Sequence, residues 1–297
     1  MISEVHSEVE VRRASGLGAW LPLLILPVAA GLTRNLLPAW GFMWVMSFSL
    51  FAGCKWLTWF PARHFASSTR RSFGYLFLWP GMDATTFLDA HRIPAKPTTT
   101  QWFAAIAKTT LGATLTWFVA HRFASPMLQG WIGMLGLIFL LHFGSFHLIA
   151  LAWQAFGVDA EPIMRSPISS RSLSEFWGKR WNLGFRRLTF DLVFQPLRRP
   201  IGIAAATFAS FVVSGLIHEL VISLPARAGY GLPTAYFAVQ GAGVLLERSN
   251  AGKKLGLRDG WRGWMLTALV AGAPACLLFH PWFVLRVMVP FLRAIGA

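Results

Sequence analysis

Two short stretches carry side chains able to do chemistry in surroundings otherwise suited to lipid. The first, SSRSLSEFWGKRWN (Ser169–Asn182), packs Arg171, Lys179 and Arg180 together with Trp177, Trp181, Glu175 and Asn182. The second, FVVSGLIHELVISL (Phe211–Leu224), sets His218 and Glu219 inside an apolar run. Ionisable residues within a membrane span are costly and face an interior cavity or a partner. His218 is thus either a structural histidine bonded to a neighbouring backbone carbonyl or a working polar group. The arginines offer planar forks that donate in pairs, which suits lipid headgroups or a phosphate-bearing substrate.

Rival readings are available. His-Glu is not the start of the zinc-protease H-E-x-x-H, because Ile222 stands where the second His would be, so no metal is expected. His142 and His147 are five apart on another apolar run and do not share a face closely; Asp83 and Asp89 are further candidates. Ser214 and Gly215, one turn before His218, are small enough to let a helix or a lipid tail approach. The two cysteines, Cys54 and Cys276, lie in apolar runs and read as packing residues.

The elements that must position these groups are membrane helices. Of 297 residues, 55% are hydrophobic and only 13% charged, against about a quarter charged in soluble domains. Apolar runs near the ~20 residues that cross a bilayer place spans at about 15–33, 36–60, 101–123, 129–157, 200–224, 232–247 and 262–280, with a last apolar helix at 281–296. The expectation is an all-α, polytopic transmembrane protein of about 8 membrane helices plus interfacial amphipathic helices, in one domain over 1–297. The net charge of +15 then reads as orientation rather than nucleic-acid binding. Segments 1–14, 61–100, 165–199 and 248–261 hold 2, 5, 8 and 4 basic residues, and the positive-inside rule puts all four in the cytoplasm. The glutamates of MISEVHSEVEVRR argue against a cleaved signal peptide. Within 61–100, SFGYLFLWPGMD is too short to span and is expected at the interface.

Ser172-Leu-Ser-Glu175 fits a capping box, with Glu175 reaching back to the Ser172 amide. From there a helix is expected to run to about Val193. Leu173, Trp177, Trp181, Phe185, Leu188 and Leu192 form one stripe, Lys179, Asn182 and Arg186 lie opposite, and Arg180 and Arg187 flank it. A basic amphipathic helix with tryptophans on its apolar side suits the membrane surface, either as an anchor on anionic lipid or as the receiver of an anionic substrate. An anchor alone would not require Asn182.

Together, SLSEFWGKRWN (Ser172–Asn182), PLRRP (Pro196–Pro200), FVVSGLIHEL (Phe211–Leu220) and FLWPGMD (Phe77–Asp83) resemble the wax synthase-like branch of the membrane-bound O-acyltransferase (MBOAT) superfamily. The resemblance implies many helices around a chamber where an acyl-CoA meets an alcohol. It also implies a functional pair, an asparagine after Trp and a histidine in a later span, which fall here on Asn182 and His218. In that role His218 is the general base and Asn182 orients it or binds the thioester oxygen. Trp177, Arg180, Trp181, Arg186 and Arg187 are expected at the donor, Ser214 and Glu219 beside the base, with acyl-CoA as co-substrate and no other cofactor. Membrane lipids are partners and nucleic acid is not; the location is a bacterial cytoplasmic membrane or the endoplasmic reticulum. The competing classes are a transporter or lipid translocator with a polar His/Glu site, and a structural subunit. One geometric tension stands: if the fifth span is straight from Pro200, His218 lies roughly 27 Å along it, far from a cytoplasmic Asn182.

Overall fold

The computed structural model describes residues 16–66 and 68–297; the reading of residues 1–14 lies outside them. Helices make up the fold, and among the described residues there are no strands. Among the described residues, five helical stretches are long and apolar enough to cross a membrane: Leu17–Asn35, Thr99–Arg122, Pro126–Ala155, Leu183–Ala226 and Gly260–Leu278. The chain is thus an all-α membrane protein. Helices Ala39–Ala62 and Leu232–Arg248 and a helical run at 281–294 form where the other three spans were expected, but do not join that set. We label α1 Leu17–Leu32, α2 Ala39–Ala62, α3 Thr69–Leu78, α4 Thr99–Arg122, α5 Pro126–Ala155, α6 residues 173–180, α7 Leu183–Ala226, α8 Leu232–Arg248 and α9 Gly260–Leu278.

The chain groups into two compact units, one of residues up to Ile163 with Met288–Ala297, the other of Met164–Val287. The first is built by close helix contact through small residues, as lipid-embedded helices require. Gly112 of α4 lies so near α5 that a methyl group there would collide with the backbone of Leu140. Lys55 of α2 is buried, its Nζ donating to the Gly81 carbonyl at 2.5 Å and lying 3.5 Å from the centre of the Tyr75 ring. The expected interfacial patch is realised in α3. Ser68 caps it, Tyr75 is buried, and Phe73 and Phe77 are exposed. Arg71 ties this helix to the carbonyls of Asp89 and Gly157 at 2.9 and 3.3 Å.

The second unit holds both polar stretches. Its long helix α7 is not straight. It widens to a π turn at Phe190–Phe194, breaks at Gly202 (φ 83°, ψ 165°), and widens again at Glu219–Ser223, directly after His218. Glycine reaches that positive φ without penalty, two residues after Pro200, whose missing N–H already weakens the helix there. The straight run leading to His218 therefore starts after Gly202, and 16 residues at 1.5 Å give about 24 Å, shorter than the straight span from Pro200 suggested.

Candidate active site

The first stretch forms a helix for the reasons its sequence suggests, and ends sooner. Ser172 is the N-cap, its Oγ accepting the Glu175 N–H at 3.0 Å. The reciprocal half of the capping box is shifted by one residue: Glu175 Oε2 accepts the N–H of Arg171, not of Ser172, at 2.7 Å. Its other oxygen takes Arg180 Nε and Nη2 at 2.7 and 2.6 Å. The Arg171 amide above all, and then Arg180, hold the Glu175 carboxyl below its ordinary value. A second carboxylate assists: Glu247 of α8, 2% exposed, accepts the N–H groups of Leu173 and Ser174 at 2.5 and 3.3 Å. Three orphan amides at the start of α6 are thereby satisfied.

The continuous helix to Val193 is not formed. Residues 176–180 make a π turn, closed by Trp181 N–H to Phe176 C=O at 2.8 Å; Trp181 is then extended and Asn182 left-handed (φ 44°, ψ 55°). Asparagine is among the few side chains that visit this region readily. The Arg180 carbonyl accepts the Arg165 N–H at 2.8 Å, and its guanidinium donates to Glu175 and to Ser169 Oγ at 3.0 Å. These bonds draw the chain out of the helix just before Asn182. The stripe expected from Leu173 to Leu192 is thus divided between two helices. Asn182 sits at the corner between them, its N–H 3.2 Å from Met164 Sδ. Its side-chain amide makes no hydrogen bond among the described residues.

The arginines predicted at the donor already have protein partners. Arg180 is held as above, Arg186 donates to the Gly178 carbonyl at 2.7 Å, and Arg187 pairs with Asp191 at 3.4 Å. Trp181 stacks on Phe176 with centroids 5.4 Å apart. Trp177 turns inward: its Nε1 donates to Gln240 Oε1 at 3.3 Å, and its ring meets Phe211 at 5.7 Å and Phe237 at 5.8 Å.

Phe237 also packs on the imidazole of His218, with centroids 4.5 Å apart. On a straight helix, the 36 residues from Asn182 to His218 would span about 54 Å. The breaks in α7 instead let the chain double back, so that Trp177 and His218 share one phenyl ring. His218 Nδ1 lies 2.6 Å from the Ser214 carbonyl. A carbonyl can only accept, so Nδ1 carries the proton and Nε2 keeps its lone pair. The structural and the working readings of His218 are therefore compatible, because the backbone bond fixes the tautomer that can take up a proton.

The other predicted residues near His218 have protein partners of their own. Ser214 Oγ donates to the Ser210 carbonyl at 3.0 Å. At Gly215 a methyl group would come within 2.7 Å of Thr234 Cα, so the small-residue approach is made by α8. Glu219 Oε1 accepts the N–H of Gly231 and of Thr234 and the Thr234 hydroxyl at 3.1, 3.0 and 2.9 Å. It caps the start of α8 from another helix. In the first unit, Asp83 caps the turn Ala84–Leu88 and Asp89 accepts the His91 N–H and pairs with Arg92. His142 keeps a buried Nδ1 without a partner in α5. Among the described residues, no three His, Cys, Asp or Glu side chains gather as a metal site.

Gln240, Phe237 and Glu247 escaped the sequence reading. Only Glu247 left a signal: an acid in the last turn of a helix opposes the helix dipole, which is explicable when its carboxylate serves the start of another helix.

Comparison with known proteins finds a family likeness over this arrangement. Residues 160–239 match the membrane bound O-acyl transferase family. The matched segment runs from before α6 to Val239, and so contains Asn182, His218 and the Phe237 that touches both Trp177 and His218. A probable long-chain-alcohol O-fatty-acyltransferase 7 of Arabidopsis thaliana is 31% identical over 142 residues, 42% of this chain and 40% of that protein. The long-chain-alcohol O-fatty-acyltransferase of Simmondsia chinensis is 31% identical over 106 residues, 33% of this chain and 30% of that protein. An acyl-CoA–sterol O-acyltransferase 1 of Arabidopsis thaliana is 34% identical over 71 residues, 22% of this chain and 21% of that protein. The chain thus spans less than half the length of these relatives. The resemblance to the wax synthase-like branch, drawn from the motifs, is borne out.

Proposed function

We propose that this protein is a membrane-embedded O-acyltransferase, working as one domain, that moves a fatty acyl group from acyl-CoA to the hydroxyl of a lipophilic alcohol. The observation that carries the reading is the His218 tautomer: Nδ1 is spent on Ser214, and Nε2 is left as an acceptor beside the aromatic wall that reaches α6. In the proposed reaction Nε2 takes the alcohol proton as the oxygen attacks the thioester carbonyl. The tetrahedral oxyanion accepts a hydrogen bond from the Asn182 amide. Collapse breaks the carbon–sulfur bond, the imidazolium returns its proton to the departing thiolate, and ester and CoA result.

The long-chain alcohol is the first acceptor to test and a sterol the second, because relatives carry both names. Lys179 and Arg198, both exposed, are the cations we assign to attracting the CoA phosphates. We assign this face to the cytoplasm, in a bacterial cytoplasmic membrane or the endoplasmic reticulum; the basic segments support that reading. The test offers labelled palmitoyl-CoA with a long-chain alcohol or a sterol to the purified protein in nanodiscs. The reading expects ester with at least one acceptor; CoA released only by hydrolysis, with no ester from either, would reject it.

A further inference from the structure

Helix α8 ties the two polar stretches together through one face. At its first turn it receives Glu219, from the residue next to His218. At its last turn it sends Glu247 to the first amides of α6, while Arg248 Nε donates to Ser174 Oγ at 3.1 Å. Between these ends, Phe237, Gln240, Val244 and Glu247 recur at helical spacing, and all four are buried. Gln240, with no exposed surface, accepts from Trp177 Nε1 and donates through Nε2 to the Val270 carbonyl of α9 at 2.6 Å. Gly243 allows Leu173 to sit against the helix: a methyl group there would meet Leu173 Cδ1 at 2.8 Å. An amide with both ends used and no exposure is an expensive device for packing alone, since leucine fills similar space without buried polar atoms.

We propose that Gln240 and Glu247 are positioning residues for acyl transfer: α8 is the spacer that holds the donor motif at a fixed distance from His218. Gln240 acts through Trp177, and Glu247 through the first turn of α6. The inference rests on the proposed O-acyltransferase activity. It places the determinant of transition-state geometry on a helix that contributes no reacting group. Misplacement of reacting groups lowers the chemical step more than it weakens binding.

The test compares kcat and KM for palmitoyl-CoA in Gln240→Leu, Trp177→Phe and the double variant, and in Glu247→Gln and Glu247→Ala, each in nanodiscs. Hydrogen exchange of residues 173–182 is read in parallel. Gln240→Leu should lose about tenfold in kcat with KM changed less than about twofold, a loss on the scale of one buried hydrogen bond. The double variant should be no worse than Gln240→Leu alone, because both single changes remove the same bond. Glu247→Gln, which still offers an acceptor oxygen, should keep most of the activity that Glu247→Ala loses, and only Glu247→Ala should speed exchange at the start of α6. Wild-type kcat in Gln240→Leu, additive losses in the double variant, or exchange in Glu247→Ala equal to wild type would each overturn the positioning role while leaving the proposed activity intact. An inactive wild type would instead remove the proposed activity, and the positioning role with it.

Discussion

His218 and His280 belong to the same unit and hold opposite tautomers. His218, half-buried, donates through Nδ1 to the Ser214 carbonyl and keeps a lone pair on Nε2. His280, with no exposed surface, accepts the Phe283 N–H at Nδ1 at 3.1 Å. It therefore carries its proton on Nε2, 3.5 Å from Ser223 Oγ, and Ser223 donates onward to the Gly229 carbonyl at 3.3 Å. A serine and a histidine so arranged look like a nucleophile and its base, yet the imidazole has no lone pair to offer. One backbone atom, a carbonyl in the first case and an amide in the second, decides which ring can act as a base. Side-chain identity and burial alone would not tell the two rings apart.

Substitutions can break this comparison, the most damaging first. His218→Ala should lose about 10²- to 10⁴-fold in ester formation, the usual worth of a general base, with an unchanged melting profile. His280→Ala, in contrast, should keep its catalytic rate per folded molecule. It should lose stability, about 1 kcal/mol for the missing cap and more for the cavity, as measured by thermal unfolding in detergent. Equal catalytic losses in the two variants would erase the distinction between the rings.

Asn182 sharpens the same point, because its backbone and its side chain can be tested separately. Asn182→Gly keeps the left-handed corner and removes the amide. A loss of about 10²-fold in kcat is expected if that amide binds the oxyanion, whereas full activity would reduce Asn182 to a corner residue. Glu219→Ala should behave like His280→Ala, costing about 1–3 kcal/mol of stability by leaving the amides of Gly231 and Thr234 unpaired. Glu219→Gln should recover much of it.

The smallest effect is that of pH on the Arg171–Glu175–Arg180 turn. The folded carboxyl sits below the ordinary glutamate value of 4.5. Its contribution is thus present above that value and is lost as pH falls through the lower folded one. Unfolding of Glu175→Gln followed between pH 5 and 3 should show a shallower loss than wild type; parallel curves would mean that the turn does not depend on the charge.

Much of this was legible in the sequence. The helical class, five of the spans and the Ser172 cap follow from hydropathy and side-chain geometry. The break at Asn182 was not legible, because helical periodicity persists through Phe185, Leu188 and Leu192 although the helix does not. What ends it is tertiary: the Arg165 amide on the Arg180 carbonyl and the Arg180–Glu175 pair. Similarly, nothing in a hydropathy profile announces that Gly202 interrupts α7, and the supposed depth of His218 assumed a straight helix. The roles of Gln240 and Glu247 were hidden for another reason. A buried amide or acid has a role only when its partners on other helices are known.

The most direct measurement of the central claim is the single-turnover rate of acyl transfer from palmitoyl-CoA to a long-chain alcohol in wild type and His218→Ala, with folded protein matched by gel filtration. The account predicts that acyl-CoA still binds while the transfer step slows by at least about 100-fold. A variant that transfers at the wild-type rate would contradict the assignment of Nε2 as the base, whatever the geometry around it.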